Sequence, residues 1–453
     1  MSVRSGWLAL AIACATLSCG HGPGALPAYR GDARGVAVAG LSSGAFMAVQ
    51  YEVAHSAGVR GAGIVAGGPY YCAAGNAFNA AVCMGQVGGV PPAAPLLVAA
   101  AGGFAATGQI DPLANLRAHR VYVFSGTRDS IVRTPAVDAL VAVYRALGVD
   151  GDALQYVNTL PAGHALVTPD FGNDCAANAA PYVSHCDVDG TGYDQAGAIL
   201  RQVFGTLLPP AGSATGELRA FDQAEFGAAA ARMAGTGYVY VPRACASGTP
   251  CALLIAFHGC AQSAERVGDA FYAHAGFNRW ADSNDLIVLY PQVDASLLNP
   301  QGCWDWFGYT GPAYATRLGP QIVAVQAMVE RLVGRREEVE WRCYRECPTC
   351  TSATACSPNS RASSRGAASR GRTSSATQRL PRSASPIARA RRAGAVPRPA
   401  CSTASRRIRR LPASRPRSRR TAPAAATASS PSVAVRCSIR ARRCASSRAR
   451  AAG

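Results

Sequence analysis

The chain has 453 residues, with 45 Arg, no Lys, 26 acidic residues and a net charge of +19. That charge is unevenly placed: residues 1–340 hold 19 Arg against 25 acidic residues, net −6, and residues 341–453 hold 26 Arg against one Glu, net +25. The patterned part of the chain is therefore acidic, which excludes a function there built on neutralising phosphates; the basic balance belongs to the tail.

The N-terminus has the composition of an export leader. Arg4 is its charged end and Trp7-Leu8-Ala9-Leu10-Ala11-Ile12-Ala13 its apolar stretch, too short to span a bilayer. Residues 1–25 are assigned to it, with cleavage near Ala15 or Ser18. Leu17-Ser18-Cys19-Gly20 resembles a lipoprotein box, but Leu stands one place too close to Cys. No other segment is long and apolar enough for a membrane span, so the product is expected to be secreted, extracellular or periplasmic.

Gly35-Val36-Ala37-Val38-Ala39 reads as a buried parallel strand, and residues 45–55 read as a helix. Between them lies Gly40-Leu41-Ser42-Ser43-Gly44, a G-x-S-x-G pattern in the strand–turn–helix context of a nucleophile elbow. The two glycines are expected to let the backbone take the strained turn, and the helix N-terminus to favour a developing oxyanion. Further strands are predicted at 63–66, 120–125 and 155–160, with helices at 136–147 and 195–207. Residues 208–217 read as a connector. Strands then follow at 237–242, 252–257 and 286–290, with helices at 265–282 and 319–333. Neither half has enough strands for a covered sheet, so residues 30–335 are read as one α/β domain.

A serine hydroxyl needs a base, and the base an orienting carboxylate. Asp129 follows strand 120–125 and His164 follows strand 155–160, each at the carboxyl end of a parallel strand. The alternative reading of Asp129 is a turn aspartate that closes its own loop, and the catalytic reading is favoured over it. The other histidines fit less well: His55 and His274 lie on helical patterns, His119 precedes a strand, His185 adjoins Cys186, and His21 falls in the leader. Phe257-His258-Gly259-Cys260 follows strand 252–257 and resembles the oxyanion loop of lipases and esterases, with the N–H groups of Cys260 and Ser43 as donors. This loop follows the elbow by more than 200 residues, an order that implies a circularly permuted sheet. Gly302-Cys303-Trp304-Asp305-Trp306-Phe307-Gly308-Tyr309 reads either as core packing or as an apolar substrate wall.

Eight cysteines (72, 83, 175, 186, 245, 251, 260 and 303) fit disulfides in an exported protein. Pairing near neighbours gives 72–83, 175–186 and 245–251 and leaves 260–303, although spacing does not prove connectivity. No metal site or cofactor is expected; the isolated Cys347-Pro348-Thr349-Cys350 has no His nearby.

The stretches Gly40–Met47, Ala66-Gly67-Gly68-Pro69-Tyr70-Tyr71-Cys72, His258-Gly259-Cys260, Asn278–Asp282, Leu289-Tyr290-Pro291-Gln292 and Gly302–Trp306 together resemble exported poly(3-hydroxybutyrate) depolymerases, the type whose lipase box precedes the oxyanion histidine. The resemblance covers about residues 30–335. It implies a single permuted α/β-hydrolase domain with Ser42 as nucleophile, Asp129 as acid, His164 as base, and Ser43 and Cys260 as oxyanion donors. His258, Trp304 and Trp306 fall at its substrate crevice. The expected activity is hydrolysis of polyhydroxyalkanoate esters, with a soluble feruloyl- or acetyl-type ester as the alternative substrate.

Residues 341–453 depart from that family. They are rich in Arg, Ala, Ser and Pro, hold no Asp and keep no apolar period. Such composition reads as disorder. It is either a polyanion-binding arm, which would make the chain a basic binding protein, or a GC-rich gene read out of frame. The abrupt switch and the scattered cysteines favour the second, and the catalytic reading requires no nucleic acid.

Overall fold

A computed structural model describes residues 23–88 and 90–334. The predicted leader up to residue 22 and the predicted basic tail lie outside the described residues. Gly24, placed in the leader by the sequence, already bridges Phe221, and its carbonyl accepts from Asp222 N at 2.8 Å.

Eight strands form one sheet: β1 Gly31–Leu41, β2 Val59–Val65, β3 Arg120–Phe124, β4 Leu154–Val157, β5 Glu217–Asp222, β6 Thr236–Val241, β7 Cys251–Phe257 and β8 Leu286–Tyr290. Their spatial order is β5-β6-β8-β7-β1-β2-β3-β4. The six strands from β8 to β4 run parallel; β6 is antiparallel to both its neighbours. The central strands are apolar throughout because both faces are covered: Val36–Leu41 and all of β8 are buried. β1 is the hinge of the topology. It pairs with β2, next in sequence, and with β7, which begins at Cys251.

The principal helices are α1 Ser43–Ala54, α2 Ala94–Ala106, α3 Thr134–Ala146, α4 Gln195–Phe204, α5 Phe277–Ser283 and α6 Pro320–Val333. Every residue of α1 is buried, so this helix has no solvent face and no amphipathic stripe. Its buried Gln50 and Glu52 are satisfied at distance. Gln50 Nε2 donates to Asp305 O at 2.9 Å, and Glu52 accepts from Tyr144 Oη and meets His119 Nδ1 at 2.8 Å. α4 starts where Asp194 accepts from Gly197 N at 2.9 Å, a side-chain N-cap.

Three sequence expectations change. The helix expected over 265–282 is broken: a single turn over Ala264–Val267 ends at Gly268 (φ 62°), and α5 starts only after Gly276 (φ 92°). Two glycines in the left-handed region cannot belong to one helix. α2 and β5 were not expected. α2 is small-residue-rich and buries little of itself, and β5 is an edge strand with mixed polarity, so neither carries a strong period.

Four disulfides join Cys72–Cys83, Cys175–Cys186, Cys245–Cys251 and Cys260–Cys303. Among the described residues, the one cluster of metal-type side chains is Cys245, Cys251 and Asp285, and its two sulfurs are bonded to each other. Among the described residues no helix is long and apolar enough to cross a membrane.

Candidate active site

Ser42 sits between β1 and α1 with φ 58° and ψ −124°, a left-handed conformation that a non-glycine residue adopts only when its surroundings impose it. Ser42 N donates to Val65 O and Phe46 N to Ser42 O, both at 3.0 Å, which holds the turn from each side. The flanking glycines act differently from the sequence expectation. Neither has positive φ; the strain rests on Ser42 itself. A Cβ on Gly40 would lie 2.3 Å from Gly44 O, and one on Gly44 would lie 2.2 Å from Phe257 O. Both are glycine because backbone passes too close for a methyl group.

Asp129 and His164 reach the same edge of the sheet from β3 and β4. His164 Nδ1 lies 2.8 Å from Asp129 Oδ2, and both side chains are almost wholly buried. The other oxygen, Asp129 Oδ1, accepts from Ile131 N at 2.8 Å and Val132 N at 2.9 Å. The carboxylate therefore does two things at once: one oxygen closes its own turn, and the other meets the imidazole. Backbone bonds lock the two turns, with Thr127 N on Leu160 O and Arg128 N on Ala162 O. His119, by contrast, is buried with Glu52 far along α1. His274 is partly exposed beside Asp269.

The turn after β7 packs against the elbow. A Cβ on Gly259 would lie 3.4 Å from Ser42 Cβ. The Gly259 N–H is spent on Gln262 Oε1 at 2.7 Å. The Cys260 N–H donates to no acceptor among the described residues. His258, expected at the substrate crevice, faces inward in this structure. It is fully buried, Nδ1 donates to Gly259 O at 2.7 Å, and Nε2 accepts from Val293 N at 3.0 Å. Burial pushes its pKa down to about 4, so the ring is neutral and acts as a brace for the turn. Trp304 is likewise buried, edge-on to Phe257 at 4.9 Å, and its backbone N–H donates to Ser43 Oγ at 3.3 Å. It packs in the core beneath the elbow. Trp306 stacks on Phe46 at 4.2 Å.

Asp305 carries a role that no motif announces. Its carboxylate accepts from the N–H groups of Gly308, Tyr309 and Thr310 and so folds the aromatic loop. The signal in the sequence is one acid inside an aromatic run with glycine downstream, which is common in loops. A cavity of about 350 Å³ lined by Phe171, His274, Arg279 and Trp280 contains none of Ser42, Asp129 and His164.

A strained serine elbow after β1, on a largely parallel sheet that also carries a buried carboxylate–imidazole pair after β3 and β4, defines the class as a serine hydrolase on an α/β scaffold. No family model matches the chain. It is 41% identical over 341 residues to a poly(3-hydroxybutyrate) depolymerase of Delftia acidovorans, covering 73% of this chain and 66% of that protein. It is 36% identical over 352 residues to a polyhydroxybutyrate depolymerase of Talaromyces funiculosus, covering 73% of this chain and 98% of that one. The crystal structure of PHB depolymerase from Penicillium funiculosum superposes with a TM-score of 0.63 at 35% identity, covering 68% of this chain and 98% of that chain. A Ser→Ala variant of PHB depolymerase complexed with an R3HB trimer matches equally well. The chain belongs to the poly(3-hydroxybutyrate) depolymerase family.

Proposed function

We propose that this chain is an exported serine esterase that cleaves the ester bonds of poly(3-hydroxybutyrate) or related short-chain polyhydroxyalkanoates, with Ser42, His164 and Asp129 as its triad. The observation that carries the reading is the buried His164–Asp129 pair, 2.8 Å apart, on turns at the same sheet edge as the strained Ser42 elbow. Ser42 Oγ attacks the ester carbonyl while His164 Nε2 takes its proton. Asp129 holds the proton on Nδ1 and stabilises the imidazolium. The N–H groups of Ser43, first in α1, and of Cys260 receive the oxyanion; a first-turn N–H has no partner within its own helix. Collapse expels the alcohol end of the chain, protonated by His164. A water activated by the same imidazole then hydrolyses the acyl-enzyme. Trp306, stacked on Phe46, supplies an apolar wall.

The same reading makes the domain a circularly permuted α/β-hydrolase. Two facts support it. The strands that feed the elbow and the oxyanion turn are parallel neighbours although the chain visits them far apart. The two ends of the described chain also meet: Arg331 Nη1 donates to Leu26 O at 3.1 Å, and a Cβ on Gly31 would lie 3.1 Å from Leu332 O. Residues 30–335 then form the catalytic domain behind a cleaved leader, and the four disulfides suit an oxidising compartment.

Clearing of a polyhydroxybutyrate suspension by the wild type and by Ser42→Ala tests the assignment. The variant is expected to fold and to lose clearing. Retained clearing sinks the triad, and turnover of aryl feruloyl or acetyl esters without any clearing moves the substrate to soluble esters.

A further inference from the structure

The sheet alone does not hold the three working turns in register. Asp129 and His164 follow β3 and β4, whereas the Gly259–Cys260 turn follows β7, and β1 and β2 lie between. One strap, residues 172–186, bridges them, closed on itself by Cys175–Cys186. It touches the base turn through backbone: Gly163 N donates to Cys175 O at 2.7 Å, and a Cβ on Gly163 would lie 2.1 Å from Ala177 O. The ring of Tyr182 stands edge-on to His164 at 5.9 Å.

Two side-chain amides complete the connection. Asn178 Oδ1 accepts from His164 N and from Ser130 N, both at 3.0 Å. Its Nδ2 donates to Arg128 O and Ala176 O, both at 3.1 Å. Two donors face the oxygen and two acceptors face the nitrogen, so the amide has only one workable orientation. A single side chain thus grips the residues on either side of Asp129 and the backbone of His164. Gln262 does the same for the oxyanion turn. Its Oε1 accepts from Gly259 N at 2.7 Å, and its Nε2 donates to Pro181 O at 2.9 Å and Tyr182 O at 3.0 Å. Spending the Gly259 N–H this way leaves that of Cys260 to point elsewhere.

We propose that Asn178 and Gln262 are positioning residues: neutral amide clamps that tie the acid, base and oxyanion turns to one disulfide-closed strap. The inference rests on the triad reading above. Neither amide takes part in the chemistry: Asn178 acts through the backbone of His164 and of the two neighbours of Asp129, and Gln262 through Gly259, next to Cys260. Neutrality suits the task, because a charged clamp at this distance would shift the imidazole it positions. Asn178 sits in the run Asp174-Cys175-Ala176-Ala177-Asn178-Ala179-Ala180, which carries no motif.

The test uses the full chain, p-nitrophenyl butyrate, and active-site titration with an aryl phosphonate. In Asn178→Ala, kcat per titrated site is expected to fall about tenfold to a hundredfold, the scale of a misplaced catalytic group. KM should stay within about twofold, since no substrate contact is removed. Gln262→Ala should show the same split. Asn178→Asp is nearly isosteric and carries the test if the alanine variant does not fold. It loses the donor to Arg128 O and places an anion beside His164, so the acid limb of kcat/KM should move to higher pH. A lower unfolding midpoint with wild-type kcat per site and an unmoved pH limb overturns the proposal. Turnover by Ser42→Ala would instead overturn the triad; an inert Ser42→Ala beside wild-type-like clamp variants overturns the clamps alone.

Discussion

Replacing Asp129 by Asn keeps the shape of the site and changes one proton. Asp129 Oδ1 accepts from Ile131 N and Val132 N. In the variant the amide oxygen must stay on those two donors, because an NH₂ group there would face N–H against N–H. The amide nitrogen is then directed at His164 Nδ1, which in the native protein lies 2.8 Å from a carboxylate oxygen. The imidazole has to accept at Nδ1 and carry its own proton on Nε2, the nitrogen that should take the proton of Ser42. The wrong tautomer costs about 10⁴-fold in kcat in a Ser–His–Asp site, or about 5.5 kcal/mol of barrier. Stability should hardly move, because both backbone bonds to the side chain survive. Initial rates on p-nitrophenyl butyrate, with sites titrated and thermal unfolding run alongside, measure both quantities. A loss of less than about tenfold, with the fold intact, would mean that His164 does not depend on Asp129 for its tautomer and would refute the reasoning.

Two further expectations bear on the scaffold. Removing the Cys260–Cys303 bridge by a double alanine substitution opens a loop with a sequence separation of 43, which loop-closure entropy values at about 4 kcal/mol. Denaturant unfolding should show that loss, and kcat should fall about tenfold as the Cys260 amide loses its tether; unchanged kcat would detach the bridge from the oxyanion turn. The second concerns His119, buried against Glu52 at 2.8 Å with the Ser56 carbonyl 3.0 Å from Nε2. Burial alone depresses this imidazole, but the hydrogen bond and charge of Glu52 outweigh it, and the net shift is upward. The stability drawn from its charged form is complete below the unfolded-state value of about 6.5 and is lost as pH rises through the higher folded value. The urea stability gap between wild type and His119→Gln should therefore narrow as pH rises above about 6.5; a constant gap would show that Glu52 does not hold the proton there.

Most of the sheet was legible in the chain itself. β1, β7 and β8 are short apolar runs bounded by turn residues, and a period read over ten residues suffices to find them. The elbow was legible for the same reason, since strand, turn and helix are contiguous. β5 and α2 were not, because an edge strand and a small-residue helix bury too little to leave a pattern. Asn178 and Gln262 were invisible: a clamp is defined by what it touches, and an amide in an alanine-rich run looks like any loop residue.

By itself the sequence determined the parts that local chemistry controls. These are the serine in its turn, the carboxylate and imidazole after successive strands, and the H-G-C turn. The tertiary structure alone decided what those parts do to one another. It placed the positive φ on Ser42 instead of on its glycines, turned His258 and Trp304 inward as braces, and gave Asp129 two tasks. It also set β7 beside β1 and carried the strap across to the base turn. Those outcomes depend on packing between segments tens to hundreds of residues apart. Close packing selects them by whether two backbones can approach within a methyl's width, a condition that no window of sequence contains.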